Sequence, residues 1–419
     1  MVRADTLGDV VDREQFFARA RVDRTGPVDG LRVVECTTTW AGPMAGCVLA
    51  DLGADVIKVE QPDGEISRTM EPFLPGTELS FVHETVNRNK RCLTLDLRTD
   101  EGRSLFLEVA ATADVVLENF KPGTLARWGV GYEQVSAVKP DIVFVSISGW
   151  GQYGPWSERV GYDPIVQAAS GMMAINGHPD HRNPSRTPTW LADDLAGVHA
   201  ALGALAALRH RDATGEGQHV DISMLDAALF QSNGYLTLGA IDHPLEPWGS
   251  ALQFCVPGNA YECADGRYVY TGAILNSHWA RMCELMGRPE LGDAEGFADN
   301  TQRIANREVV DGLMVEWCAS KDSGEFVEML EGAGLAATLV NEYSDLAREP
   351  YVEEREMLIN VKLSDGASAP ITAPAAKFSR TPTSIRRPAP ALGEHTREVL
   401  EEVGVSAQRY EQLRLDSIV

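Results

Sequence analysis

The chain has 419 residues, 44% hydrophobic and 23% charged, enough to bury one large core or two smaller ones, and a two-domain enzyme is the natural expectation. With 37 basic against 61 acidic side chains the formal charge is −24, a field that repels nucleic acid and anionic membranes, so a polyanionic ligand would need a local basic patch. Seven cysteines, odd in number and never paired as C-x-x-C, fit neither a disulfide framework nor a zinc site and point to a reducing cytoplasm.

In chain order, the first 26 residues are charged throughout and lack the apolar stretch of an export signal, so residues 1–27 read as an N-terminal arm. LRVVEC (31–36) predicts a first strand, AGPMAGCVLADLG (41–53) a helix, and DVIKVE (55–60) a second strand. Further strands are predicted at CLTLDL (92–97), ADVVLENF (113–120) and DIVFVSISG (141–149), with a helix at EGRSLFLEVAAT (101–112). An Ala- and Leu-rich helix runs from Asp193 to Arg211, before a last strand, HVDIS (219–223), and another helix. Alternating strands and helices predict an α/β fold with a mostly parallel sheet covered on both faces. Beyond Leu236 the pattern changes: a hairpin turning at Asp265-Gly266 and helices at 276–286, 307–319 and 322–333 predict a smaller α+β domain. Residues 361–392 read as extended, and 394–416 as a closing helix pair. The expected division is a large domain over 28–235, rejoined by 340–419, and a small domain over 236–339. No run of eighteen apolar residues is present, and none of the nine histidines has metal-ligand spacing; no membrane span and no metal are expected.

Gly149-x-Gly151-x-x-Gly154 follows a strand as a dinucleotide fingerprint would, but Pro155 comes at once and no apolar-striped helix opens behind it, so a rigid glycine loop is the better reading. NRNKRCLTLDLR (87–98) gathers Arg88, Lys90, Arg91 and Arg98; it reads equally as a charge-blunted strand edge or as a phosphate grip. In LADDLAG (191–197), Asp193 or Asp194 could cap its helix, or a carboxylate held ionised by backbone donors could act as a nucleophile; sequence physics leaves both open.

Taken in order, WAGPMAGCVLADLGADVIKVEQP (40–62), NRNKRCLTLDLR, ADVVLENFKPGTLARWGVGYE (113–133), SISGWGQYGP (146–155), GYDPIVQAASGMM (161–173), the LADDLAG helix and YECADGRYVY (261–270) resemble the class III CoA-transferases, a family that includes α-methylacyl-CoA racemase and carnitine CoA-transferase. The resemblance implies a large Rossmann-like domain and a small domain, with two chains interlocked as a homodimer. It implies coenzyme A and acyl-CoA as substrates and no permanently bound cofactor. It assigns Asp193 as the nucleophile and Asp163 as an acidic group beside it. It places CoA contacts at Trp40, Ala41, Asn119, Phe120 and Arg127, and makes Lys58, Arg88 and Arg91 candidate phosphate contacts. The implied reaction moves CoA from an acyl-CoA to a free carboxylic acid through an aspartyl anhydride and an aspartyl–CoA thioester.

Two departures bear on function. Racemases of this family carry a His-Asp pair where this chain has Tyr162-Asp163, and a phenol with an ordinary pKa near 10 is a poor base at neutral pH. Trp40 stands where transferases often carry Arg or Gln. The competing readings are therefore a 2-methylacyl-CoA racemase and a non-catalytic CoA-binding subunit of a paired transferase.

Overall fold

A computed structural model describes residues 11–180 and 183–419; the first ten residues of the expected arm lie outside it. Six strands form one parallel sheet: β1 (Arg32–Cys36), β2 (Asp55–Glu60), β3 (Lys90–Thr94), β4 (Val115–Glu118), β5 (Val143–Ser148) and β6 (Gln218–Ser223). Their order is β3-β2-β1-β4-β5-β6, so the chain reverses direction across the sheet between β1 and β4. In such sheets ligands bind beyond the carboxyl ends of the strands at the reversal.

Alternation along each strand builds two cores. Val33, Val115 and Val143 face one cluster with Leu49, Ala196 and Ala200, whereas their neighbours Val34, Val116 and Phe144 face another with Phe106, Val109 and Leu400. Both faces are covered, as the sequence predicts. On the first face lies the long helix Leu191–Thr214, whose buried stripe is Ala192, Ala196, Ala200 and Ala204. Small residues every fourth position let it lie close, and a Cβ on Gly197 would stand 2.9 Å from Met44 Cβ and 3.0 Å from the Ala41 carbonyl of the Ala41–Asp51 helix. Leu191–Thr214 is long and apolar enough to cross a membrane, but its small-residue face is occupied by this packing.

The third strand starts and ends earlier than expected, at Lys90–Thr94 rather than 92–97. It is the sheet's edge, yet all five residues are buried, because Thr396 at the start of the Thr396–Glu402 helix hydrogen-bonds the Thr94 N–H at 3.0 Å. A solvated, charge-blunted edge is thus ruled out. Residues 361–392 are less extended than expected, since β10 (Leu358–Lys362) and β11 (Ser368–Thr372) form an antiparallel hairpin.

The described residues divide into two compact units. One comprises the chain up to Met172, Arg186–His243 and Pro350–Val419; the other comprises Met173–Ser185 and Pro244–Glu349. The smaller unit holds β7 (Gly258–Glu262), β8 (Tyr268–Gly272) and β9 (Ala337–Leu339) in an antiparallel sheet. That sheet packs through Tyr261 and Val269 on helices Asn276–Leu285, Arg307–Cys318 and Ser323–Gly332, around buried Trp279, Met314 and Phe326. Its boundaries differ from 236–339 because Tyr235–Ala240 stays with the large unit and Met173–Ser185 joins the small one.

Candidate active site

Two cavities lie along the carboxyl ends of the sheet strands, and Thr38 lines both. Thr38 belongs to the loop after β1, which the fold pins on both sides. Asn119, directly after β4, accepts the Thr38 N–H and donates to the Thr38 carbonyl, each at 2.8 Å. Lys58 on β2 donates to the Thr37 carbonyl at 3.0 Å. Thr39 takes a positive φ of 68°, and the helix Ala41–Asp51 begins two residues later. Among the described residues the Ala41 and Gly42 N–H groups have no acceptor, as first-turn donors of a helix lack intrahelical partners.

Asp193 lines the cavity that opens beside this turn, with Trp40, Trp190, Tyr162, Met70 and Met224 among its walls. It sits in the first turn of Leu191–Thr214, but neither it nor Asp194 caps that helix. The cap comes from Asp163, which opens the Asp163–Ala169 helix: its carboxylate accepts the Ala192 N–H at 2.8 Å and the Asp193 N–H at 3.4 Å. The Gln167 side chain donates to the other Asp163 oxygen at 2.7 Å. No hydrogen bond reaches the Asp193 carboxylate among the described residues. The expectation that backbone donors keep it ionised therefore fails, since Asp163 takes the donors. Burial, with Asp163 and then Asp194 as negative neighbours, pushes Asp193 up to about 8.

Asp194 is also held high by burial, against the pull of the Trp40 indole N–H, which donates to it at 2.6 Å. Trp40 meets Trp190 edge-to-face at 4.8 Å between ring centroids. The indole is thus fixed by one hydrogen bond and one ring contact beside Asp193.

The second cavity crosses the ends of β1, β2, β3 and β4, between Cys36, Val59, Leu95 and Phe120. Phe120 and Trp128 form an edge-to-face pair at 5.4 Å on its wall, and Arg98 reaches it from an exposed position, paired with Asp96 at 2.7 Å. Arg127 is exposed on the adjoining Thr124–Arg127 helix, and its side chain donates to the Thr124 hydroxyl at 3.0 Å.

The remaining predicted cations do not come to either cavity, and their assignment as phosphate contacts is corrected. Lys58 is fully buried between Glu35 (3.4 Å) and Glu65 (3.8 Å); burial opposes its charge, but these carboxylates outweigh it and hold it at about 12. Arg88 is bound to Asp51, and Arg91 grips Asp55, Glu398 and Glu402. Lys90 closes the set, donating to Glu35, the Pro43 carbonyl and Asn87 at 2.8–2.9 Å. Gly46 is required here, since a Cβ would overlap Glu35 Oε2. A basic run in an acidic protein signalled charge pairing, and sequence could not say whether the partner was a ligand or the chain itself. Asn119 spends its amide on the Thr38 backbone and lines the Asp193 cavity.

Sequence reasoning did not single out Trp190, Trp128, Met70 or Met224 as site residues, and packing makes them wall residues.

Residues 28–396 match CoA-transferase family III. The chain is 39% identical over 391 residues to succinyl-CoA:mesaconate CoA-transferase of Haloarcula hispanica, covering 91% of this chain and 97% of that one. It is 33% identical over 401 residues to the succinyl-CoA–L-malate CoA-transferase beta subunit of Chloroflexus aurantiacus, covering 94% and 98%. A CaiB/BaiF family protein from Brucella suis has the same fold, with a TM-score of 0.80, 33% identity and coverage of 91% and 100%. A parallel α/β sheet with a half-buried carboxylate at its carboxyl edge suits acyl transfer between thioester and acid. The chain belongs to CoA-transferase family III and transfers CoA between an acyl-CoA and a carboxylate.

Proposed function

We propose that Asp193 is the covalent nucleophile and that the acids exchanged are short dicarboxylates. The observation that carries the reading is the position of Asp193: among the described residues its carboxylate is the one of its helix turn left without a hydrogen bond, in a cavity also lined by Ala41, whose N–H has no acceptor among them. Its oxygen attacks the thioester carbonyl, and the tetrahedral intermediate expels CoA thiolate, leaving a mixed anhydride. The thiolate attacks the aspartyl carbonyl and releases the donor acid, giving an enzyme-bound CoA thioester. The acceptor carboxylate displaces the thiolate to form a second anhydride. The thiolate then attacks the acceptor's carbonyl, and Asp193 returns as carboxylate. Each step trades one activated acyl group for another, so neither ATP nor a metal enters the balance. The helix N–H groups serve the developing oxyanions.

CoA lies along the carboxyl edge of the sheet. Its adenine enters the apolar cavity by Phe120 and Trp128, Arg98 and Arg127 meet its phosphates, and the pantetheine arm passes Thr38 towards Asp193. Thr38 belongs to both cavities, which supports a continuous path. Asp163 acts by holding the helix turn that carries Asp193. The dicarboxylate class rests on the relatives named for mesaconate and malate. The same reading makes the enzyme a cytoplasmic, interlocked homodimer, to which exposed Val198, Leu202 and Phe230 offer apolar surface. An exposed Tyr162 in place of a basic imidazole speaks against α-proton transfer and hence against a racemase.

The test is intact-protein mass spectrometry after incubation with acyl-CoA thioesters and hydroxylamine. A hydroxamate mapped to Asp193 with succinyl-CoA, absent from Asp193→Ala, is the expected result. Turnover by the purified chain alone excludes the paired-subunit reading, whereas CoA binding without any adduct would overturn the nucleophile.

A further inference from the structure

Thr39, in the loop after β1, is a non-glycine residue with a φ of 68°. The left-handed region crowds any side chain, a β-branched one most of all, so such a residue persists only where its surroundings over-determine it. Thr39 lines the Asp193 cavity. It stands one residue before Trp40, whose indole holds Asp194, and two before Ala41, whose N–H has no acceptor among the described residues.

The group that meets the Thr39 backbone is Glu65. One oxygen of its carboxylate accepts the Thr39 N–H at 3.2 Å and the Ser67 N–H at 3.0 Å. The other accepts the Ser67 hydroxyl and lies 3.8 Å from the Lys58 ammonium and 3.6 Å from His83 Nδ1. Burial opposes the charge, but Lys58, His83 and Ser67 outweigh it and hold the carboxyl well below its usual range, so Glu65 stays an anionic acceptor. Its own N–H is tied to Glu60, which Arg68 grips. Lys58 donates to the Thr37 carbonyl at 3.0 Å, so Lys58 and Glu65 together hold the loop from one side while Asn119 clamps Thr38 from the other. Glu65 borders the neighbouring cavity, but its side chain is only 6% exposed and both oxygens are engaged by the chain, which makes it a support of the site.

We propose that Glu65 is a positioning residue for CoA transfer. By anchoring the Thr39 N–H it holds the loop in the left-handed turn that presents the Ala41 N–H to the carbonyl under attack. A donor set in place before the reaction needs no reorganisation when charge develops on the oxygen, so the anchor acts on the rate of transfer and not on the grip on CoA. The inference rests on Asp193 as nucleophile with the Ala41 N–H as its oxyanion donor.

The experiment follows isotope exchange between succinyl-CoA and labelled succinate on the full chain, with CoA affinity measured by isothermal titration. Glu65→Ala should lower kcat about thirtyfold or more while the CoA Kd changes less than about threefold. Glu65→Gln keeps an oxygen for the Thr39 N–H and should run at least about tenfold faster than Glu65→Ala. Adding Thr39→Gly to Glu65→Ala lets the turn form without its anchor and should recover about fivefold or more. Thr39→Pro removes the same N–H and cannot take a positive φ, so it should slow kcat as Glu65→Ala does, and it carries the test if Glu65→Ala does not fold. Any of four results would overturn the proposal: kcat within about threefold of the parent in Glu65→Ala or Thr39→Pro, a weakened CoA Kd that accounts for the loss, Glu65→Gln as slow as Glu65→Ala, or no recovery with Thr39→Gly. The nucleophile reading fails separately, by a parent that exchanges CoA without forming a hydroxamate at Asp193. Failure of the Glu65 proposal alone is an unslowed Glu65→Ala in which that hydroxamate still forms.

Discussion

Trp40 and Asp194 stand 154 residues apart in sequence, yet the indole N–H of one donates to the carboxylate of the other at 2.6 Å. The bond joins the loop after β1 to the helix that carries Asp193, across the point where the sheet reverses. Trp40→Phe keeps an aromatic side chain, smaller than the indole, but removes the N–H donor and strands a half-buried carboxylate. We expect a loss of about 1–3 kcal/mol of stability, the cost of an unsatisfied buried acceptor, read by urea unfolding. Asp194→Asn keeps an acceptor for the indole and removes one negative neighbour of Asp193. Its acid limb in kcat/KM should move to lower pH, while Trp40→Phe should leave that limb in place or raise it; identical profiles for the two variants would contradict the pairing.

Asp193 makes the folded protein pH-sensitive in a defined direction. Its folded pKa is raised, to about 8, above the unfolded value of 3.8. Between those values the folded state holds a proton that the unfolded state has lost, so stability falls as pH rises through that window. The slope from this group is at most about 1.4 kcal/mol per pH unit. Asp193→Asn should remove it, becoming more stable than the parent at pH 7 while losing at least about a thousandfold in turnover, as expected for a lost nucleophile. Chemical denaturation of both proteins at pH 5 and pH 8 measures the difference, and a parallel pH dependence would refute the assignment.

Removal of Asp163 tests the cap. Asp163→Ala frees the Ala192 and Asp193 N–H groups and the Gln167 amide. The expected cost is about 1–2 kcal/mol, as for other lost caps. Asp193 should also titrate lower, because a negative neighbour is gone and the freed N–H groups favour its ionised form. Turnover should fall through misplacement of the helix turn, with kcat affected more than KM.

The buried and exposed cations should separate cleanly. Lys58→Met leaves Glu35 and Glu65 with one fewer counter-charge and should cost about 3–5 kcal/mol of folding, the usual penalty for breaking a buried pair from one side. Arg98→Ala should change stability by less than about 1 kcal/mol, since its partner Asp96 is met at the surface. It should still weaken CoA, as isothermal titration would show. Weak CoA binding with intact stability in Lys58→Met would restore Lys58 as a phosphate contact.

Gly197→Ala weighs two effects against each other. Alanine in a helix interior is favoured over glycine by about 1 kcal/mol, whereas overpacking costs about 1–3 kcal/mol. The atoms met are Met44 Cβ and the Ala41 carbonyl, which cannot swing away. A net loss of stability is expected in thermal unfolding, together with reduced turnover because the same contact places Asp193 beside the Ala41 turn.

By itself the sequence determined the alternation of strands and helices, because buried parallel strands must be continuous apolar runs such as VVLE (115–118) and VFVSIS (143–148). It also singled out Asp193 as the candidate nucleophile, because Asp193 lies within a collinear set of motifs. Only the tertiary structure decided which charges remain for a ligand. Lys58, Arg88 and Arg91 look like anion contacts in one dimension, but their carboxylates come from Glu35, Asp51, Asp55 and Glu402, residues brought near by strand order and helix packing. The state of Asp193 was decided the same way. Local sequence offers it the donors of its own helix, and a carboxylate 30 residues earlier takes them. Hydrogen bonds and ion pairs act over a few ångströms in space, so their partners are fixed by the fold, and the sequence alone names only the candidates.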